Sequence, residues 1–135
     1  MRLSIFCLLL ISHATSSTEV AVVKLKPVIK DNLIAAIIHV ESRGDSMAYN
    51  TKEDAVGVLQ IRPIMVREVN RLLGYNKYTL NDRWNKSRSI EMFNVIKDHT
   101  PHPTNEKLAR NWNGGPKGYK HNNTLGYWKK VKENL

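Results

Sequence analysis

A glutamate at the end of an apolar helix is the first group in this chain equipped for chemistry. Residues 28–43 read as a helix in which Ile34, Ile37, Ile38 and Glu41 recur at i, i+3, i+4 and i+7 and so share one face. Gly44 then supplies the stop. Glu41 therefore falls on the apolar side of its helix. A carboxyl with little water around it resists ionisation, and each unit of upward pKa shift is about 1.4 kcal/mol of bias toward the protonated form. One or two such units turn a glutamate into a proton donor at neutral pH. The same pattern also describes a glutamate at the rim of a core, its head turned to water. Gln60 is a second polar group out of place, an amide inside the apolar run Val56-Gly57-Val58-Leu59-Gln60-Ile61, where burial demands hydrogen-bond partners.

The elements that must position these groups follow from length and pattern. The chain has 135 residues, 41% of them hydrophobic, enough for one core and too few for two. Residues 1–14 hold Arg2, an apolar run over 5–11, and Ser12 and Ala14 spaced as a cleavage site requires, which predicts a signal peptide and a secreted or periplasmic protein. The run is too short to span a bilayer. It contains the single cysteine, Cys7, and a lipoprotein cut before Cys7 leaves hardly any signal. The mature chain then carries no disulfide, thiol nucleophile or thiolate metal site. Cleavage removes Arg2 alone among charged residues, lowering the net charge of +9 by one. Such a surplus suits an anionic polymer, and export argues against nucleic acid.

Residues 15–26 read as an N-terminal arm and 27–135 as the domain. Pro27 or Asp31 starts the first helix. A loop or short strand follows over 45–55, with Asn50, Lys52, Glu53 and Asp54 as turn formers. Pro63 opens a second helix with Met65, Val66, Val69, Leu72 and Leu73 inward, ended by Gly74. A loop covers 75–86. Ser87 or Ser89 caps a third helix to about Asp98 that turns Ile90, Met92, Phe93 and Ile96 inward, broken by Pro101 and Pro103. A fourth helix over 104–111 packs Leu108, Ala109 and Trp112 before an Asn113-Gly114-Gly115-Pro116 turn. Thr124 caps a last helix bearing Tyr127, Trp128 and Val131. The expected fold is a compact, mainly α domain.

Three separated pieces then stand in order: Glu41-Ser42 at a helix end, Gly57-Val58-Leu59-Gln60-Ile61 ahead of Pro63, and Arg110-Asn111-Trp112-Asn113-Gly114-Gly115-Pro116. Together they resemble the soluble lytic transglycosylase domain of the lysozyme-like superfamily, whose motifs read Glu-Ser, Gly-Leu-Met-Gln and Ala-Tyr-Asn-x-Gly. Thr124, Tyr127 and Val131 resemble its closing Thr-x-x-Tyr helix. The resemblance spans residues 27–131. It implies a lysozyme-like α+β fold, one helical domain with a short loop or β-hairpin beside the cleft. It also implies cleavage of the β-1,4 bond between N-acetylmuramic acid and N-acetylglucosamine in peptidoglycan, leaving a 1,6-anhydromuramoyl end.

By the same resemblance Glu41 is the acid and then the base, and Ser42, Asn50, Gln60, Trp112, Asn113 and Tyr127 contact substrate. Each of these has a plainer reading. Ser42 finishes the helix, Gln60 bonds a neighbouring backbone, Asn113 suits a Gly-Pro turn, and Tyr127 is a half-buried core tyrosine. Trp112 stands where the family has tyrosine and can stack on a sugar but lacks the hydroxyl. Asn50 stands where serine is usual. The implied partner is the peptidoglycan glycan strand, met by a monomer without nucleic acid, stable membrane insertion, metal or cofactor.

Two other readings compete. Glu53 or Asp54, lying between Glu41 and Gly57, supplies a second carboxylate, and a separation of about 6.5–9.5 Å permits inverting hydrolysis in the manner of goose-type lysozymes. A non-catalytic wall-binding relative is the other class, which an intact Glu41 argues against. His99 and His102 span Thr100-Pro101 rather than one helix face, so they do not read as a metal pair. The lysines of 117–132, interleaved with Tyr119, Tyr127 and Trp128, read as a solvated basic face suited to an anionic wall.

Overall fold

The computed structural model describes residues 32–135. The expected signal peptide 1–14, the arm 15–26 and a helix start at Pro27 or Asp31 lie outside the described residues. Helix α1 (Asn32–Ser42) buries Leu33, Ala36, Ile37 and Ile38; of the expected face Ile37 and Ile38 are buried, while Ile34 is half-buried against the core, so the helix is turned toward Leu33 and Ala36. A hairpin follows, β1 (Tyr49–Asn50) against β2 (Ala55–Val56), antiparallel with Tyr49 opposite Val56 and Asn50 opposite Ala55. The Asn50 side-chain oxygen accepts the Lys52 N–H at 3.1 Å, which tightens the connecting turn.

Helix α2 (Pro63–Leu73) begins at the proline and ends at Gly74, whose left-handed φ of 80° lets its N–H reach the Asn70 and Arg71 carbonyls. The stretch expected as loop over 75–86 holds a 3-10 turn over Leu80–Trp84, closed by reciprocal bonds between Thr79 and Asp82. Helix α3 (Lys86–Asp98) is capped by Asn85, which accepts the Arg88 N–H, and not by Ser87 or Ser89. The helix starts earlier than either serine allows, and Ser89 is instead buried, donating to the Arg83 carbonyl at 3.0 Å.

Thr104 caps helix α4 (Asn105–Gly114), which runs past the predicted end, so that Asn113 sits on a final helical turn and not in a Gly-Pro turn. Helix α5 (Leu125–Lys132) follows. Thr124, expected as its cap, makes no such bond. Its hydroxyl is buried, accepts from Arg110 Nε at 2.9 Å and faces the Gly118 and His121 carbonyls at 2.8 and 2.7 Å. Ile37, Leu59, Ile61, Met92, Phe93, Leu108, Trp112 and Val131 meet in one core, giving the α-rich domain with a small two-stranded sheet that the sequence predicts.

Candidate functional site around Glu41

The centre of the site is a loop. Between β2 and α2 the chain closes on itself, with the Val56 N–H donating to the Ile61 carbonyl and the Ile61 N–H to that of Val56, at 3.2 and 3.0 Å. Residues 57–60 form the tight turn between them, with Gly57 at φ 77° and Gln60 at φ 48°, both left-handed. Val58 and Leu59 are almost fully buried, so the loop carries its backbone carbonyls inward, where each needs a donor. The separated motifs provide these donors. Ser42 Oγ donates to the Val58 carbonyl at 2.8 Å, and Trp112 Nε1 donates to the Leu59 carbonyl at 3.2 Å. The Gln60 amide donates to the Gly57 and Ala48 carbonyls at 3.0 and 3.1 Å.

Two expected contacts, Ser42 and Trp112, are thereby assigned to the scaffold, and Gln60 in part. Trp112 is 4% exposed and packs on Phe93 with ring centroids 5.0 Å apart, so its indole belongs to the core and not to a sugar-facing wall. Ser42 bonds the loop and the helix end, also accepting the Gly44 N–H at 3.1 Å. Gln60 spends its amide donors on backbone and keeps only its carbonyl for a ligand. Asn50 is exposed and its oxygen serves the hairpin turn; Asn113 is exposed on the last turn of α4.

Glu41 and Tyr127 do come together. The Tyr127 hydroxyl donates to Glu41 Oε1 at 2.7 Å across the contact of α1 with α5. Burial pushes the Glu41 carboxyl up from 4.5 to about 7. The Tyr127 bond and the positive charge of Arg62 pull it back in part, and the charge of Glu53 adds to the rise. Tyr127 is itself held far above its usual range, chiefly by burial and then by the adjoining carboxylate, so it stays a neutral donor. With Oε1 engaged, Oε2 is the oxygen left to carry a mobile proton.

Two arginines escape a reading by motif. Arg62, between the buried loop and Pro63, is the cation that favours ionised Glu41, and a charge directly following an apolar run was the available signal. Arg83 is 6% exposed, donates from one terminal nitrogen to the Asp54 and Ile61 carbonyls, and lies 3.6 Å from the Asp54 carboxylate. Asp54 is thus a partner of Arg83, and Glu53 is the acid whose charge reaches Glu41. Among the described residues no three His, Cys, Asp or Glu side chains gather as a metal site needs, and no helix is long and apolar enough to cross a membrane.

The Tyr127 bond has a measurable consequence. Because it favours the ionised carboxylate, Tyr127→Phe raises the Glu41 pKa further, and the limb of the pH–rate profile governed by loss of that proton moves to higher pH. Profiles of kcat/KM for the two proteins on the same glycan substrate check this, and coincident alkaline limbs would contradict the linkage.

The family described as the transglycosylase SLT domain matches residues 20–130. The chain is also similar to invertebrate-type lysozyme 3 of Caenorhabditis elegans, with 63% identity over 27 residues that make up 20% of this chain and 19% of that protein. The chain therefore spans about a fifth of that relative's length. No solved structure matches it.

Proposed function

We propose, for a chain that belongs to the transglycosylase SLT domain family, cleavage of peptidoglycan glycan strands at the β-1,4 bond between N-acetylmuramic acid and N-acetylglucosamine, with formation of a 1,6-anhydromuramoyl end. The family supports peptidoglycan cleavage in general, by a transglycosylase or a lysozyme-like route. The observation that carries the finer reading is the half-buried Glu41 carboxyl, tied to Tyr127 and poised at about 7, where acid and base forms are both accessible.

In this mechanism Glu41 Oε2 gives its proton to the glycosidic oxygen as the bond to the muramoyl C1 breaks. The substrate's acetamido oxygen stabilises the developing cation, which lets one carboxylate suffice. The Glu41 carboxylate then takes the proton from the muramoyl O6 hydroxyl, whose oxygen closes on C1. Glu41 ends protonated as it began, and no water is consumed. Desolvation makes the acid form persistent for the first half, while Tyr127 and Arg62 ease the charge present between the halves. Gln60, through its free carbonyl, and Asn50 and Asn113, through their exposed amides, are the remaining substrate contacts of this reading; Ser42 and Trp112 act by holding the loop.

The pattern of residues 1–14 supports action outside the cytoplasm. One observation favours a second reading: Glu53 is close enough to perturb Glu41, and a carboxylate there could activate water for hydrolysis. Mass spectrometry of muropeptides from purified peptidoglycan separates the two. Products one water lighter than hydrolytic muropeptides are expected. Reducing-end products overturn the transglycosylase route in favour of hydrolysis, and retention of folded protein on the wall with no product overturns catalysis in favour of a binding module.

A further inference from the structure

The hairpin carries two aromatic rings that the chemistry at Glu41 does not use. Tyr49, on β1, is 53% exposed, and its ring meets that of Trp84 at a centroid distance of 6.0 Å and an angle of 60°. Trp84 comes from the end of the 3-10 turn and is only half-buried. The two rings arise 35 positions apart in different elements, and one glycine permits them to meet. A Cβ at Gly57 would lie 2.1 Å from the Arg83 carbonyl oxygen and 3.6 Å from the Trp84 Cα, so the missing side chain is what lets the turn close on the hairpin. Burying both rings would be the ordinary outcome for such residues; here a tilted pair stays open to solvent.

The pair is continuous with the site. Ala48, next to Tyr49, accepts the Gly57 N–H at 2.9 Å and the Gln60 amide at 3.1 Å, and Val58 accepts Ser42, the neighbour of Glu41.

We infer that Tyr49 and Trp84 form a stacking platform for an N-acetylated hexosamine ring of the glycan strand, a position beyond the sugars that flank the scissile bond. The inference rests on the proposed glycan substrate and adds a determinant of strand binding to it. The C–H face of a pyranose is apolar and matches an aromatic face, while its rim of hydroxyl and acetamido groups needs donors. The tilt between the rings presents an angled surface that contacts a sugar on two sides, which a flat protein face cannot exploit.

The test uses the full chain carrying Glu41→Gln, so that binding is read without turnover. N-acetylglucosamine hexamers and purified glycan strands are titrated by calorimetry and by tryptophan fluorescence. Tyr49→Ala is expected to weaken binding by roughly three- to tenfold, the worth of one aromatic stacking contact, and Tyr49→Phe, which retains the ring, to restore it. Trp84→Phe should keep the affinity and abolish part of the fluorescence response. In the protein with Glu41 intact, Tyr49→Ala should raise KM for strands and leave kcat in place. Equal affinity of Tyr49→Ala and the parent overturns the platform, as does turnover with an unchanged KM. Binding that depends on Tyr49 in a protein that never cleaves the strand supports the platform and overturns the catalytic reading instead.

Discussion

Glu41→Gln is expected to lower glycan cleavage by about two to four orders of magnitude, the usual weight of a positioned general acid, without loss of fold. Glutamine has the shape of glutamate and its carbonyl still accepts from Tyr127, but its amide N–H is far too weak an acid to protonate a leaving oxygen. The same variant has a signature in stability that an exposed glutamate would not show. The folded protein holds the Glu41 proton to about pH 7, whereas the unfolded chain releases it near 4.5. The folded state thus binds more protons between those values, and stability falls as pH rises from about 4.5 to about 7. Glutamine has no such dependence. At pH 8 the variant should be more stable than the parent by about 1–3 kcal/mol, and the gap should close below pH 4.5. Thermal melts of both proteins across that range check it; a constant gap would contradict the raised Glu41 pKa, and residual lysis near the parental rate would remove Glu41 from the reaction.

The largest loss of stability is expected from Gly57→Ala. The position has φ 77°, which an L side chain adopts at a cost of about 1–2 kcal/mol. The new methyl would also stand 2.1 Å from the Arg83 carbonyl oxygen, a backbone atom that already accepts Ser89 and cannot swing aside. Overpacking of this kind costs about 1–3 kcal/mol more. Together these imply roughly 3 kcal/mol, and for a domain near 100 residues a fall in Tm of about 12–24 °C. Gly74→Ala is the useful contrast, since its left-handed φ is similar but nothing lies within 4 Å of an added Cβ. Its melting point should fall by much less. Equal effects at the two glycines would mean that backbone conformation alone, and not the approach of the 3-10 turn, sets the requirement at 57.

Much of the architecture could be read from neighbouring residues. Pro63 and Gly74 delimit helix α2 because both act through their own backbone geometry, and the apolar spacing of α1 identifies Ile37 and Ile38 as inward. The cap of α3 was misplaced because Asn85, Ser87 and Ser89 all have capping side chains, and choosing among them depends on where Arg83 sits. Thr124 was misread for a related reason, its hydroxyl being taken by Arg110 from α4.

By itself the amino-acid order determined that a glutamate would fall on the apolar face of a helix, that an apolar run broken by one glutamine would follow, and that an aromatic helix would close the chain. These are consequences of period and of local backbone preference. Only the tertiary structure decided what each polar group does. Tyr127 reaches Glu41 across 86 positions, and Trp112 reaches the Leu59 carbonyl across 53. Trp112 was therefore assigned to the core and Tyr127 to the carboxylate, although both are aromatic residues on helices late in the chain. The reason is physical: a buried donor takes whichever acceptor the packing leaves unsatisfied, and that acceptor is chosen by the meeting of distant elements rather than by any neighbour in sequence.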